Sequence, residues 1–142
     1  MNRKIVFSIV ILAFALVIAA VSQTPATPKH HIAFQLSEPQ GPAWDSLVRH
    51  VINTRNAFEK DGGSQVEVVF FGAGLNMLRK TNTDYEERLK KLADAGVTLS
   101  ACQNAMRMMN VKTEDLFPFA GQVDSGIAQL SRRQEAGWAY IH

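Results

Sequence analysis

Cys102 is the only cysteine in this 142-residue chain, and it is the residue best suited to covalent chemistry. The nucleophile in sulfur or disulfide exchange is the thiolate, so what matters is what surrounds the sulfur. Cys102 follows the apolar run Val97–Ala101 and precedes Gln103–Met109, a helix-compatible stretch. A side chain at a helix start meets free backbone N–H groups and the positive end of the helix dipole, and both favour the thiolate. The plainer readings are a small apolar side chain filling a strand end or one half of an intermolecular bridge. A second loop, Gly72-Ala73-Gly74, follows another apolar run, Val66–Phe71. It reads as a tight turn after a strand, or as a backbone edge beside the thiol along which an anionic sulfur species approaches. Cys102 is therefore the candidate catalytic residue, and Gly72, Ala73, Gly74, Gln103 and Asn104 are the candidate binding residues.

Other reactive types are less well arranged. Met106, Met108 and Met109 with Cys102 form a soft set that suits Cu(I). Three methionines over four helical positions cannot all face one ligand, so core filling is the main reading and no metal or cofactor is expected. His30 and His31 are adjacent on a strand start and point to opposite faces, a poor chelating pair. His50 falls at the edge of a helical apolar stripe, where partial burial is expected. Asp45, Glu114 and Asp124 lie at plausible helix starts, where a carboxylate stabilises the dipole without catalysis. The chain has no zinc spacing and no phosphate-loop pattern, and Gly72-Ala73-Gly74 is too short for a dinucleotide fingerprint.

The elements that must position Cys102 follow from periodicity. His31–Leu36 has strand character. Trp44, Leu47, Val48, Val51, Ile52 and Phe58 recur at helical spacing over Pro42–Lys60. Val66–Phe71 is β-branched, aromatic and nearly continuous, as in a strand covered on both faces. A short helical piece is expected at Leu75–Lys80, a second helix at Asp84–Ala95 and a third strand at Val97–Ala101. Gly121–Val123 is a brief strand candidate. The last helix is capped by Asp124 or Ser125 and runs to about Ala136, and Trp138–Ile141 is a terminal strand. This order predicts one α/β domain of about five mostly parallel strands, with helices on both faces and right-handed crossovers. Ligands in such sheets bind outside the carboxyl ends of the strands, where Gly72–Gly74 and Cys102 both fall.

The N-terminal segment is of another kind. Asn2-Arg3-Lys4 precedes Ile5–Val21, an uncharged run whose only polar residue is Ser8. That is the layout of a secretory signal, with Ala20-Val21-Ser22 supplying small residues at the cleavage site. The expectation is a signal peptide over residues 1–22, a linker over 23–30 and a domain over 31–142, placed in the periplasm or otherwise exported. An uncleaved anchor is the rival reading, and only then would the protein touch a membrane. The full chain has 15 basic and 13 acidic residues; without Arg3 and Lys4 the two signs balance at 13 each. No basic run remains to imply a nucleic-acid partner.

Several segments together resemble one family. They are Val66–Leu75 (VEVVFFGAGL), Gly96–Asn104 (GVTLSACQN), the Glu114-Asp115-Leu116 turn, and the ending Val123-x-Ser125-Gly126 … Gln134-x-x-Gly137-x-x-Tyr140-Ile141. In this order and spacing they resemble the DsrE/DsrF-like family. The resemblance implies a five-stranded parallel α/β fold and homo- or hetero-oligomers, often trimers or hexamers. Its sulfurtransferase members carry sulfur as a persulfide on a cysteine at the end of a central strand, a position matched by Cys102. The chain is closer to the family's exported branch, although that branch often has Asn-Thr where this chain has Asn104-Ala105. The arginine-glycine segment that follows the cysteine in some relay proteins is absent. The resemblance thus implies sulfur binding or transfer through Cys102, with a small sulfur species or a thiol-bearing protein as partner. Two alternatives stand beside it: a non-enzymatic oligomeric binding or assembly module, and a small-ligand or Cu(I) binder at the same pocket.

Overall fold

The computed structural model describes residues 27–142. The expected signal peptide and the first half of the expected linker, residues 23–26, lie outside the described residues. The elements run β1 (His30–Leu36), α1 (Pro42–Glu59), β2 (Ser64–Phe70), a 3-10 segment (Gly72–Leu78), α2 (Thr83–Asp94), β3 (Thr98–Cys102) and α3 (Gln103–Met108). A 3-10 turn (Thr113–Asp115), β4 (Gly121–Val123), α4 (Gly126–Glu135) and β5 (Ala139–Ile141) complete the order. The strands form one five-stranded sheet in the order β4-β3-β2-β1-β5. Every neighbouring pair is parallel, so all carboxyl ends lie along one edge.

Alternation along the strands divides the core. Ile32, Phe34 and Leu36 of β1, Val66, Val68 and Phe70 of β2, and Leu99 and Ala101 of β3 bury into one large cluster. Trp44, Leu47, Val48 and Val51 of α1 and Tyr85, Leu89 and Leu92 of α2 cover them. On the opposite face Ala33 and Val69 meet Leu130 of α4 and Trp138. Burial of each large side chain contributes roughly 1.5–3 kcal/mol, which lets the fold stand without disulfides.

Local chemistry sets the helix ends. Pro42 opens α1, where its missing N–H costs nothing. The indole Nε1 of Trp44 donates to the Glu38 carbonyl at 3.0 Å and fixes the loop before it. Asp45, in the first turn of α1, accepts from Arg88 at 2.6 Å and from Tyr85 at 3.3 Å, tying α1 to α2. Those two donors hold the Asp45 carboxyl below the usual carboxylate range, Arg88 contributing most. Ser125 caps α4 by accepting from the Ala128 N–H.

Three local expectations are corrected. The helical piece expected at Leu75–Lys80 is a 3-10 segment that starts at Gly72. Gly72 has φ +50°, and the Gly74 N–H is shared between the carbonyls of Ser37 and Phe71, so contact with the end of β1 tightens the turn. Ile52, read into the buried stripe of α1, is 42% exposed because the stripe is narrower than its spacing implied. His50 is exposed rather than partly buried.

Candidate functional site

Cys102 ends β3 and stands as the residue before the first turn of α3, with extended backbone. Strand alternation sends its side chain toward the α4 face, beside Ser100. It is 4% exposed. The N–H groups of α3 do not reach the sulfur, although its place at a helix start made them the expected donors. The donor comes from α4: the Gly126 N–H donates to Cys102 Sγ at 3.1 Å, across 24 residues of sequence. The thiol therefore does meet a helix start, but that of the next helix.

Three carboxyl-edge loops converge on the sulfur. Phe71, Gly72 and Ala73 come from the end of β2, and Asn104, Ala105, Met108 and Met109 from α3. Ser125, Gly126 and Ile127 come from the start of α4. Together they bound an open cleft of about 490 Å³ with Cys102 at its floor. Among the described residues none of those lining it is charged. Met108 is 89% exposed and Ile127 60% exposed, so the rim holds two large apolar side chains in water.

Close approach makes the site. A Cβ on Gly126 would lie 3.1 Å from Phe71 Cβ and Cδ1, so only glycine lets the start of α4 settle over β2 and β3. The turn before it is braced by Asp124, whose two carboxylate oxygens accept from the two terminal guanidinium nitrogens of Arg132 at 2.8 Å each. That pairing, aided by the Ser125 N–H, holds the Asp124 carboxyl far below the usual carboxylate range.

The structure brings Gly72, Ala73 and Asn104 together with Cys102. Asn104 also accepts from the exposed Arg107. Gly74 and Gln103 are not at the cleft. Gly74 is buried against the Leu36 carbonyl, 2.3 Å from where its Cβ would stand, and serves the turn. Gln103 turns toward β4, where it donates to Gln122 at 3.3 Å. Of the three methionines near Cys102, Met108 and Met109 line the cleft, whereas Met106 is buried in the core. His30 stacks on Phe58 and pairs with Asp61, while His31 lies against Trp138 on the opposite face. Among the described residues no cluster of three or more His, Cys, Asp or Glu could hold a metal ion. Sequence reading missed Phe71, Ile127 and the direct role of Gly126. A glycine directly after a capping serine was the available signal, because it marks a helix start pressed against another surface.

Among solved structures, the chain is similar to MTH1491, a protein of unknown function from Methanobacterium thermoautotrophicum. The two share 29% sequence identity at a TM-score of 0.69, over 80% of this chain and 98% of that one. The ychN protein from E. coli shares the fold, with a TM-score of 0.60 at 10% identity over 81% of this chain and 98% of its own. No curated protein matches the sequence. The model of the DsrE/DsrF-like family matches residues 16–142. With nearly the whole sequence matched and an all-parallel five-stranded sheet of the same kind, the chain belongs to the DsrE/DsrF-like family, which is related to the sulfur-relay proteins.

Proposed function

We propose that this is an exported sulfur carrier that takes up sulfur as a persulfide on Cys102. The carrying observation is the thiol at the cleft floor with the Gly126 N–H on its sulfur. An N–H donated to sulfur favours the anion, and charge-assisted bonds of this kind are the stronger ones. In loading, the Cys102 thiolate attacks the terminal sulfur of an inorganic polysulfide. One S–S bond forms, one breaks, and the shortened polysulfide leaves with the electron pair, so no oxidant is consumed. In unloading, the thiolate of a partner protein attacks the outer sulfur of the persulfide and Cys102 leaves as thiolate. The chain holds no second cysteine, so the acceptor thiol comes from elsewhere. The working unit is a homo-oligomer, a trimer or hexamer, as the family resemblance implies.

Intact mass after exposure to polysulfide tests the reading. The expected result is a gain of one or more sulfur atoms, reversed by a thiol reductant and absent in Cys102→Ser. A native protein that gains no sulfur, or a gain that persists in Cys102→Ser, overturns it. Expression of the full chain with cell fractionation tests export; full-length protein confined to the cytoplasm refutes that part.

The near-complete burial of Cys102 favours a second reading, a binding or assembly module in which the thiol only fills space. A Cys102→Ala variant with unchanged assembly and binding supports that module. The exposure of Met108 and Met109 to the same cleft keeps Cu(I) as a ligand to test, by titration against the same variant.

A further inference from the structure

Among the described residues Glu67 is the one charged side chain that is buried, at 1% exposed. It sits on β2 and faces α4. A carboxylate there is tolerable only if its oxygens are fully engaged. Three donors engage them: Ser100 Oγ at 2.5 Å, Gln129 Nε2 at 3.1 Å from each oxygen, and Arg133 Nε. The Arg133 guanidinium is held in turn over the Trp138 ring, 4.2 Å from its centroid.

The donors fall on two elements. Ser100 lies on β3 two residues before Cys102 and on the same face. Gln129 and Arg133 lie three and seven residues after Gly126, on the inward side of α4. The first element carries the sulfur and the second carries the N–H donated to it. We infer that Glu67 is a positioning residue for the Cys102 thiol: one carboxylate ties β3 to α4 and so holds the Gly126 N–H on the sulfur. A buried ion pair that served stability alone could sit anywhere beneath α4. This one bridges the two elements whose relative placement sets the N–H···S contact. The inference rests on the reading of Cys102 as the working thiol, and it concerns the thiol itself rather than any sulfur bound to it.

Alkylation of folded protein by iodoacetamide, a neutral reagent, followed across pH, reads the thiol without any sulfur donor. Failure of persulfide loading and failure of this inference are therefore separate results. Glu67→Met removes all three tethers. The expected outcome is alkylation about fivefold slower at neutral pH. In Glu67→Gln the amide oxygen still accepts from Gln129 and Arg133, and the amide nitrogen meets the Ser100 hydroxyl. Its rate should return to within about twofold of the native protein, because geometry and not charge is at work. Should Glu67→Met fail to fold, Gln129→Met removes the tether nearest Gly126 and should slow alkylation in the same direction. A folded Glu67→Met or Gln129→Met protein with lowered melting temperature and a native alkylation profile overturns the inference. So does a Glu67→Gln variant that alkylates faster than native, which would reveal a field effect of the charge.

Discussion

Gly126→Ala tests whether close backbone approach governs the thiol. The added methyl would stand 3.1 Å from Phe71 Cβ and Cδ1, against 3.4 Å or more in an ordinary contact. Rotation of the Phe71 ring relieves only the Cδ1 overlap, since Cβ is fixed to the backbone at the end of β2. The first turn of α4 must lift by about 0.3 Å, taking the Gly126 N–H away from a sulfur it now meets at 3.1 Å. Overpacking of this kind costs about 1–3 kcal/mol. Gly126 does not use a left-handed backbone, so the same change narrows the unfolded ensemble and returns about 0.4–1 kcal/mol. The net loss is about 1 kcal/mol, a melting-point drop of about 4 °C. A hydrogen bond to a charged group contributes about 1.5–3 kcal/mol; losing part of it slows Cys102 alkylation about fivefold. Thermal melting and mass-detected iodoacetamide labelling are the assays. A variant that melts lower yet alkylates at the native rate would refute the claim that this N–H controls the sulfur.

Gly74→Ala should prevent folding, because the new methyl meets the Leu36 carbonyl oxygen at 2.3 Å and neither backbone can yield; a cooperative melt at native yield would contradict that placement. Phe117→Ala should cost about 3–5 kcal/mol, because the ring is fully buried and stacked on Phe119 at 5.2 Å. Urea unfolding reads the loss, with the slope unchanged if the denatured state is not altered. Asp124 gives a pH dependence whose sign is fixed. Its folded carboxyl is depressed below the usual 3.8, chiefly by the hydrogen bond from Arg132 and next by the Ser125 N–H. The unfolded chain thus takes up the proton first as pH falls. The contribution is present above the usual value and is lost toward the depressed one. Asp124→Asn should therefore show a shallower fall in urea midpoint between about pH 4 and about pH 2 than the native protein. Equal slopes would show that the Arg132 pair contributes nothing.

Strand chemistry was readable wherever one segment settled its own environment. Val66–Phe71 carries apolar residues on both faces, and β2 is indeed flanked by β1 and β3 and covered on each side. The brief Gly121–Val123 candidate is β4 with the same limits. The Gly72–Leu78 turn was less legible, because its hydrogen bonds run to Ser37, a partner that local propensity does not see. The site divides in the same way. The place of Cys102 at a carboxyl edge followed from the order of elements. Its donor did not, since Gly126 arrives from another helix. Gln103 and Gly74 adjoin the site in sequence, but the Gln103 side chain turns to β4 and Gly74 is consumed by its own turn. Glu67 carries a signal in its type and place: a lone carboxylate in an apolar strand must find donors elsewhere in the fold.

The strand order also bears on how a nascent chain behaves. The last strand, Ala139–Ile141, pairs with the first, placing Ala139 against Ile32 and Ile141 against Phe34. Until Ala139–Ile141 leaves the ribosome, the outer edge of β1 presents unpaired backbone groups beside apolar side chains. Such an edge invites chaperones or a second incomplete copy, and the pairing that closes it spans more than a hundred residues. A chain truncated before Ala139 would keep that edge open permanently, marking it for proteolysis or aggregation even though its first four strands are intact.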